Sequence, residues 1–135
     1  MTTLERLFDA ARAAQANAYA PYSRFKVGAA LMTASGAVFA GCNVENAAYP
    51  NGICAESAAI AAMTIAGERR ITDIAVVGGD AGPVTPCGAC RQRLSEFAEP
   101  GARVHFADQS HFVESLLLSD LLPRAFGPRD LDTNG

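Results

Sequence analysis

The chain has 135 residues, a size that fits one compact domain. Half of its residues are hydrophobic, 19% are charged and the formal net charge is -3, which is enough apolar content for a core and too little charge for a disordered chain. An acidic balance without a basic cluster argues against a protein built to grip nucleic-acid backbone, and a small neutral or weakly anionic substrate fits better.

Thr2 and Glu5 have the spacing of a capping box. Behind them Leu4, Leu7, Phe8, Ala11, Ala14 and Ala18 recur at helical spacing, so residues 3–19 are predicted to be an amphipathic helix that ends at Ala20-Pro21. Glu5, Arg6, Asp9 and Arg12 interrupt this stretch, so it lacks the apolar run of a signal peptide. No apolar run elsewhere reaches spanning length. A cytoplasmic protein, with no membrane partner, is therefore expected, and its four cysteines point to metal or catalysis before disulfides.

Residues 26–33 and 37–44 read as a hairpin turning at Ser35-Gly36. Asn46 to Ile53 is irregular, broken by Pro50, Asn51 and Gly52. Residues 55–66, AESAAIAAMTIA, form a helix that Gly67 stops; it is apolar nearly all round and is predicted to be buried. Ile71 to Gly79 has the β-rich run of a strand covered on both faces. After a loop at Gly82-Pro83, residues 88–98 read as a helix with Cys90, Leu94 and Phe97 on one face. Val104 and Phe106 alternate in a short strand, and Phe112 to Leu118 fits either a strand or a helical turn. The end of the chain, GPRDLDTNG, is a polar tail. Helix, hairpin, then β and α in alternation predict an α/β sheet with helices on its faces. No repeat or linker divides the chain, so residues 1–135 are read as a single domain.

Cys87-Gly88-Ala89-Cys90 is a C-x-x-C pair entering a helix, preceded by Pro86. Residues three apart share a helix face, so both sulfurs can meet one ion. Cys54 lies at the same kind of junction, and helix N-termini favour thiolates. Spacing alone leaves three readings open: a catalytic zinc with three ligands, a closed structural site that adds Cys42, or a redox dithiol. Cys42 reads as a small core residue within a strand, and His105 and His111 as bland strand and loop residues. Glu56 favours the catalytic reading. It stands in the first turn of an apolar helix, where a carboxylate is costly without a partner or a task. Two residues beyond Cys54 it points about 200° away, so it need not compete for the metal.

Cys54-Ala55-Glu56 with Pro86-Cys87-x-x-Cys90 resembles the zinc nucleoside deaminases. The resemblance reaches further: Tyr22 through Leu31, Gly41-Cys42-Asn43-Val44-Glu45-Asn46-Ala47-Ala48-Tyr49, Pro86 through Gln92, and Leu121-Leu122-Pro123-Arg124-Ala125-Phe126 are similar to segments of the small homotetrameric cytidine deaminases. Together these span roughly residues 15–130. The resemblance implies a three-layer α/β/α sandwich around a mixed five-stranded sheet, with residues 112–118 as the fifth strand. It implies hydrolytic deamination of cytidine and 2'-deoxycytidine to the uridines and ammonia, as in pyrimidine salvage. Zn2+, one per chain, would be held by Cys54, Cys87 and Cys90 and would activate a water toward the amino-bearing ring carbon, while Glu56 shuttles protons. Ala55 and Cys54 would hold the base edge through their backbone, Phe25 would pack on the pyrimidine, and Asn43 and Glu45 would bind ribose hydroxyls. Tyr49 and Phe126 would complete the pocket, partly from neighbouring subunits of a homotetramer.

One position departs from the pattern. Many three-cysteine members carry Arg directly after the catalytic Glu, and this chain has Ser57. The expectation from sequence is that Arg91 and the two helix N-termini offset the thiolate charge, with Ser57 hydrogen-bonding a ligand sulfur. Two rival functions remain at this stage. One is a deaminase of a related aminocytosine nucleoside or of a polynucleotide; the acidic charge weakens the polynucleotide version. The other is a zinc-stabilised binding module without chemistry, which needs a closed four-ligand site.

Overall fold

The sequence's capping box is formed: the Thr2 side chain accepts from the Glu5 N–H at 3.1 Å, and the Glu5 carboxylate accepts from the Thr2 N–H at 2.8 Å. It starts α1 (Thr3–Ala16) in a computed structural model that describes residues 1–79, 82–108 and 112–131. The helix ends three residues short of the span read from periodicity. Tyr19 is drawn instead into pairing with residues 43–45, its N–H donating to the Asn43 carbonyl and its carbonyl accepting from the Glu45 N–H. A tertiary contact has overridden the helical pattern.

The strands are β1 (Val27–Thr33), β2 (Val38–Cys42), β3 (Ile71–Gly78), β4 (Ala98–Ala107) and β5 (Phe112–Leu117). They form one sheet in the order β2-β1-β3-β4-β5, antiparallel except for the parallel β3–β4 pair. This is the mixed five-stranded sheet expected. The open segment at 112–118 is a strand that passes into a single turn, α4 (Leu118–Leu121). β4 is longer than Val104 and Phe106 suggested: it begins directly after α3 (Gly88–Phe97), and Pro100 with Gly101, at φ 86°, masks it in the sequence. Leu7, Phe8 and Ala11 of α1 pack on one face against Ala30, Ala75 and Val77. On the other face α2 (Ala55–Ile65) and α3 bring Ala59, Met63 and Leu94 onto Leu31, Ile74, Val76 and Val104. Two helical layers thus enclose the sheet.

α2 is not buried all round as its composition predicted. Ala55, Glu56, Ala59 and Met63 face the sheet, while Ala61, Thr64 and Ile65 are exposed in the single chain. Apolar content alone cannot tell a helix enclosed on all sides from one whose second face is left for another surface. Nor is His105 bland. It is buried on the sheet, with Nδ1 against Ser115 Oγ at 2.5 Å and Nε2 against Asp73 Oδ2 at 2.8 Å, so both ring nitrogens are engaged within the chain. His111 and residues 132–135 of the tail lie outside the described residues. Among the described residues, no helix is long and apolar enough to cross a membrane.

Two glycines set how closely the helices approach. A Cβ on Gly28 would stand 1.9 Å from the Ala11 carbonyl oxygen of α1, and one on Gly41 would stand 2.4 Å from the Ala59 nitrogen of α2. In both cases the obstacle is helix backbone, which cannot rotate away. Gly41→Ala is therefore expected to push α2 off β2 and to destabilise the fold by at least the ~1–3 kcal/mol typical of overpacking. Gly88→Ala, where nothing lies within 4 Å, should leave the urea midpoint at or above that of the parent. Equal midpoints for the Gly41→Ala and parent chains would refute the close-packing account.

Candidate functional site

α2 and α3 each begin at a cysteine. Cys54 and Cys87 are the N-cap residues, both with extended backbone, at ψ 154° and 168°. Cys90 lies one turn into α3 and is fully buried. The three sulfurs converge to within 4.8 Å of one another. Thiolates 2.3 Å from a tetrahedral zinc stand about 3.8 Å apart, so this donor set fits the ion with little rearrangement. Cys42 is absent from the cluster. It ends the edge strand β2 opposite Gly28 and is half-buried rather than a core residue, so the closed four-cysteine alternative has no fourth ligand.

The thiols differ in acidity. Burial pushes Cys54 up, and burial together with the Glu56 and Cys54 charges pushes Cys90 well above the ordinary range. At Cys87 burial also opposes ionisation, but hydrogen bonds from the Cys90 backbone N–H and the two neighbouring thiols outweigh it and bring Cys87 down. Glu56, 4% exposed, sits in the first turn of α2 with its carboxyl raised by burial. A hydrogen bond with Cys90 and the Arg93 charge oppose that rise. The carboxyl is thus poised beside the sulfurs, held there by partners on α3.

Cys54, Glu56 and Cys87 line a cleft of about 450 Å3, and Cys90 is buried behind them. Phe25, Asn43, Glu45, Tyr49 and Ala55, all singled out from the sequence, line it with them. Phe25 has room because Gly78 and Gly79 lack side chains: a Cβ on Gly79 would fall 2.6 Å from the ring. The Asn43 amide is partly spent on the backbone, accepting from the Val27 N–H at 2.9 Å and donating to the Phe25 carbonyl at 2.8 Å. One Nδ2 hydrogen is left for a ligand. Glu45 accepts from the N–H groups of Tyr22 and Ser23 and from the Ser23 hydroxyl, and these bonds hold its carboxyl below the usual range. A smaller lobe of about 340 Å3 continues the cleft past Ser23, Glu45 and Tyr49 to Tyr22, whose ring meets that of Tyr49 edge-on at 6.0 Å. A larger open cleft, about 550 Å3, lies between Arg12, Arg24 and Lys26, away from the thiols.

Other predicted residues lie elsewhere. Phe126 is 57% exposed and does not line this cleft. Ser57 Oγ is buried with no hydrogen-bond partner, so the expected bond to a ligand sulfur is not made. Arg91 turns its guanidinium away from the sulfurs, donating to the carbonyls of Pro86 at 2.8 Å and Leu121 at 3.0 Å and to Thr85 Oγ1 at 3.2 Å. It thereby ties the loop before Cys87 to the end of α4. The cation that does reach a sulfur is Arg93, whose Nη1 donates to Cys90 Sγ at 3.8 Å. The sequence held that signal, because Arg93 follows Cys90 by three on one helix face. Ser23, the anchor of Glu45, was also missed; no spacing rule links residues 23 and 45.

Residues 1–106 match the family model described as the cytidine and deoxycytidylate deaminase zinc-binding region. The chain is 41% identical over 128 residues to a cytidine deaminase of Sporosarcina psychrophila, covering 95% of this chain and 94% of that one. It is 44% identical over 118 residues to a cytidine deaminase of Mycobacterium tuberculosis, covering 87% and 85%. Among solved structures, the cytidine deaminase of Burkholderia pseudomallei superposes with a TM-score of 0.86 at 49% identity, covering 93% of this chain and all of that one. The Mycobacterium tuberculosis enzyme superposes with a TM-score of 0.82 at 41% identity, covering 94% and 99%.

The geometry separates the cysteines by experiment. Cys42→Ala should retain one zinc per chain by atomic absorption, whereas Cys54→Ala should lose it. A zinc-free Cys42→Ala protein would restore the four-cysteine site.

Proposed function

The chain belongs to the cytidine and deoxycytidylate deaminase family and is a zinc-dependent deaminase of cytidine; we propose that Cys54, Cys87 and Cys90 hold its zinc and that Glu56 moves the protons. The observation that carries this assignment is the convergence of three thiols, two of which line one cleft together with a buried carboxyl. When bound, zinc supplies the Lewis acidity that makes water a nucleophile near neutral pH.

The chain's own residues do the rest. Glu56 takes one proton of the attacking water and passes it to the ring nitrogen beside the reacting carbon, then takes the second from the hydroxyl now on that carbon and delivers it to the departing ammonia. Its burial suits that work, since a carboxyl raised toward neutrality both accepts and returns a proton readily. Phe25 packs on the pyrimidine face, and the backbone at Cys54 and Ala55 holds the base edge. At the other end Glu45 and Asn43 take ribose hydroxyls. A carboxylate kept ionised there welcomes neutral hydroxyl donors and repels phosphate, which favours a free nucleoside, cytidine or 2'-deoxycytidine, over a nucleotide or a polynucleotide. Conversion of free nucleosides fits a salvage role, and four free thiols fit the reducing cytoplasm.

We also propose a homotetramer whose pockets are shared between subunits. Tyr49 is 75% exposed at the rim of the cleft, Phe126 is 57% exposed outside it, and the outer face of α2 leaves Ile65 in solvent. An assembly that covers these surfaces would let Phe126 close a neighbour's pocket.

Glu56→Gln should keep zinc and fold yet lose ~10²–10⁴-fold in turnover, read from the fall in cytidine absorbance. Near-parental turnover would take Glu56 out of the mechanism. Sedimentation should give four chains per particle. Refolding Glu56→Gln chains mixed with Phe126→Ala chains should recover activity that neither variant has alone, because some pockets then receive both intact residues. A fully active monomer would contradict the shared pocket.

A further inference from the structure

Three thiolates around one Zn2+ leave a centre with net negative charge, and negative charge weakens a Lewis acid. Something must draw electron density off the sulfurs. Ser57 carries no charge, and its hydroxyl is sealed in the interior without a partner. Arg91, adjacent to Cys90 in sequence, is committed to two carbonyls and a hydroxyl on the far side of its helix turn. The helix N-termini at Cys54 and Cys87 contribute only partial charges.

We propose that Arg93 is the counter-ion of the metal centre: its guanidinium, donating to Cys90 Sγ, withdraws charge from that thiolate and keeps the bound cation a strong Lewis acid. The inference rests on the zinc assignment above. Its geometry follows from α3. Cys90 and Arg93 are one turn apart and so share a face, whereas Arg91 is turned about 100° away. The contact is 3.8 Å, the long end for N–H to sulfur, but the acceptor is fully buried, so solvent screens the charge from the Arg93 side alone. The Arg93 charge also favours the ionised form of Glu56. Among the described residues it is the one cationic side chain hydrogen-bonded to a sulfur of the cluster. Arg93 touches neither substrate nor metal; it is a positioning residue that works through Cys90.

Cobalt(II) in place of zinc gives a readout independent of catalysis. A cationic donor on sulfur lowers the energy of its lone pairs and raises that of the thiolate-to-cobalt charge-transfer band. Arg93→Ala should hold one metal per chain with this band shifted to longer wavelength. With zinc fully occupied, its kcat should fall about 10–100-fold, as for other outer-sphere partners of metal ligands, with KM little changed. Arg93→Gln should behave the same way and replaces Arg93→Ala if that variant misfolds. Arg93→Lys, which keeps the charge but loses the fork, should lie between parent and alanine. Ser57→Arg added to Arg93→Ala should move both band and kcat back toward the parent. A loaded Arg93→Ala chain with unshifted band and parental kcat overturns the counter-ion role and leaves the zinc assignment standing. A parent chain that takes up cobalt with no thiolate charge-transfer band removes the zinc assignment and this proposal with it.

Discussion

Two helix N-termini have to meet over one face of the sheet, because the three thiols sit on them. Cys54 starts α2 and Cys87 starts α3, and the sulfurs converge only if both helices begin at the same depth. Much of the structure serves that alignment. Gly41 lets α2 lie directly on β2, with helix backbone where a Cβ would be. Met63 and Leu94 seat the two helices in one apolar layer. Arg91 clamps the loop before Cys87 to the end of α4. The parallel β3–β4 pairing sends the chain through α3 on the way between those strands, which delivers the C-x-x-C turn to the same face as Cys54.

Once the thiols are together, the electrostatics are under tension. Burial raises the cost of a negative charge on both Glu56 and Cys90, and the Glu56 charge adds to that cost at Cys90. A dication resolves this for the sulfurs, which is why the cluster reads as a metal site rather than as a set of free thiols. Burial holds the Glu56 carboxyl above its usual range, which suits the proton-carrying role proposed for it.

Sequence alone made much of this legible, for identifiable reasons. The metal motif was legible because ligand spacing on a helix is a short-range rule: Cys87 and Cys90 are three apart, and Glu56 stands out as a lone carboxylate in an apolar helix. The mixed five-stranded sheet was implied through resemblance, and the capping box at Thr2 through spacing. What failed depended on contacts distant in sequence. α1 stops early because Tyr19 pairs with residues 43–45. β4 begins earlier than its alternation suggests because pairing with β3 carries it through Pro100 and Gly101. His105 gains its burial from Asp73 and Ser115 on two other strands. The charge partner of the sulfurs was sought at Arg91, next to Cys90 along the chain, when neighbourhood on a helix runs three and four residues onward and leads to Arg93.

The two ends of the cleft are built differently, and the difference bears on how the chain works. The reacting end stands on helices and strand ends: Cys90 is fully buried, Glu56 nearly so, and Ala55 is closed off by the sheet. The end proposed for the sugar hangs on loops, with Glu45 steadied by Tyr22 and Ser23 and Asn43 steadied by Phe25 and Val27. Asn43 and Glu45 are half-buried there and Tyr49 is exposed. Chemistry that tolerates little displacement is thus assigned to the rigid layer, where helix backbone fixes each donor. The hydroxyl recognition proposed for the other end, which tolerates more, falls to segments held by a few hydrogen bonds. Such segments gain order when another surface closes over them. An assembled protein would therefore bind the sugar more firmly than the isolated chain, while the geometry of the thiols and Glu56, set within one chain, would change little.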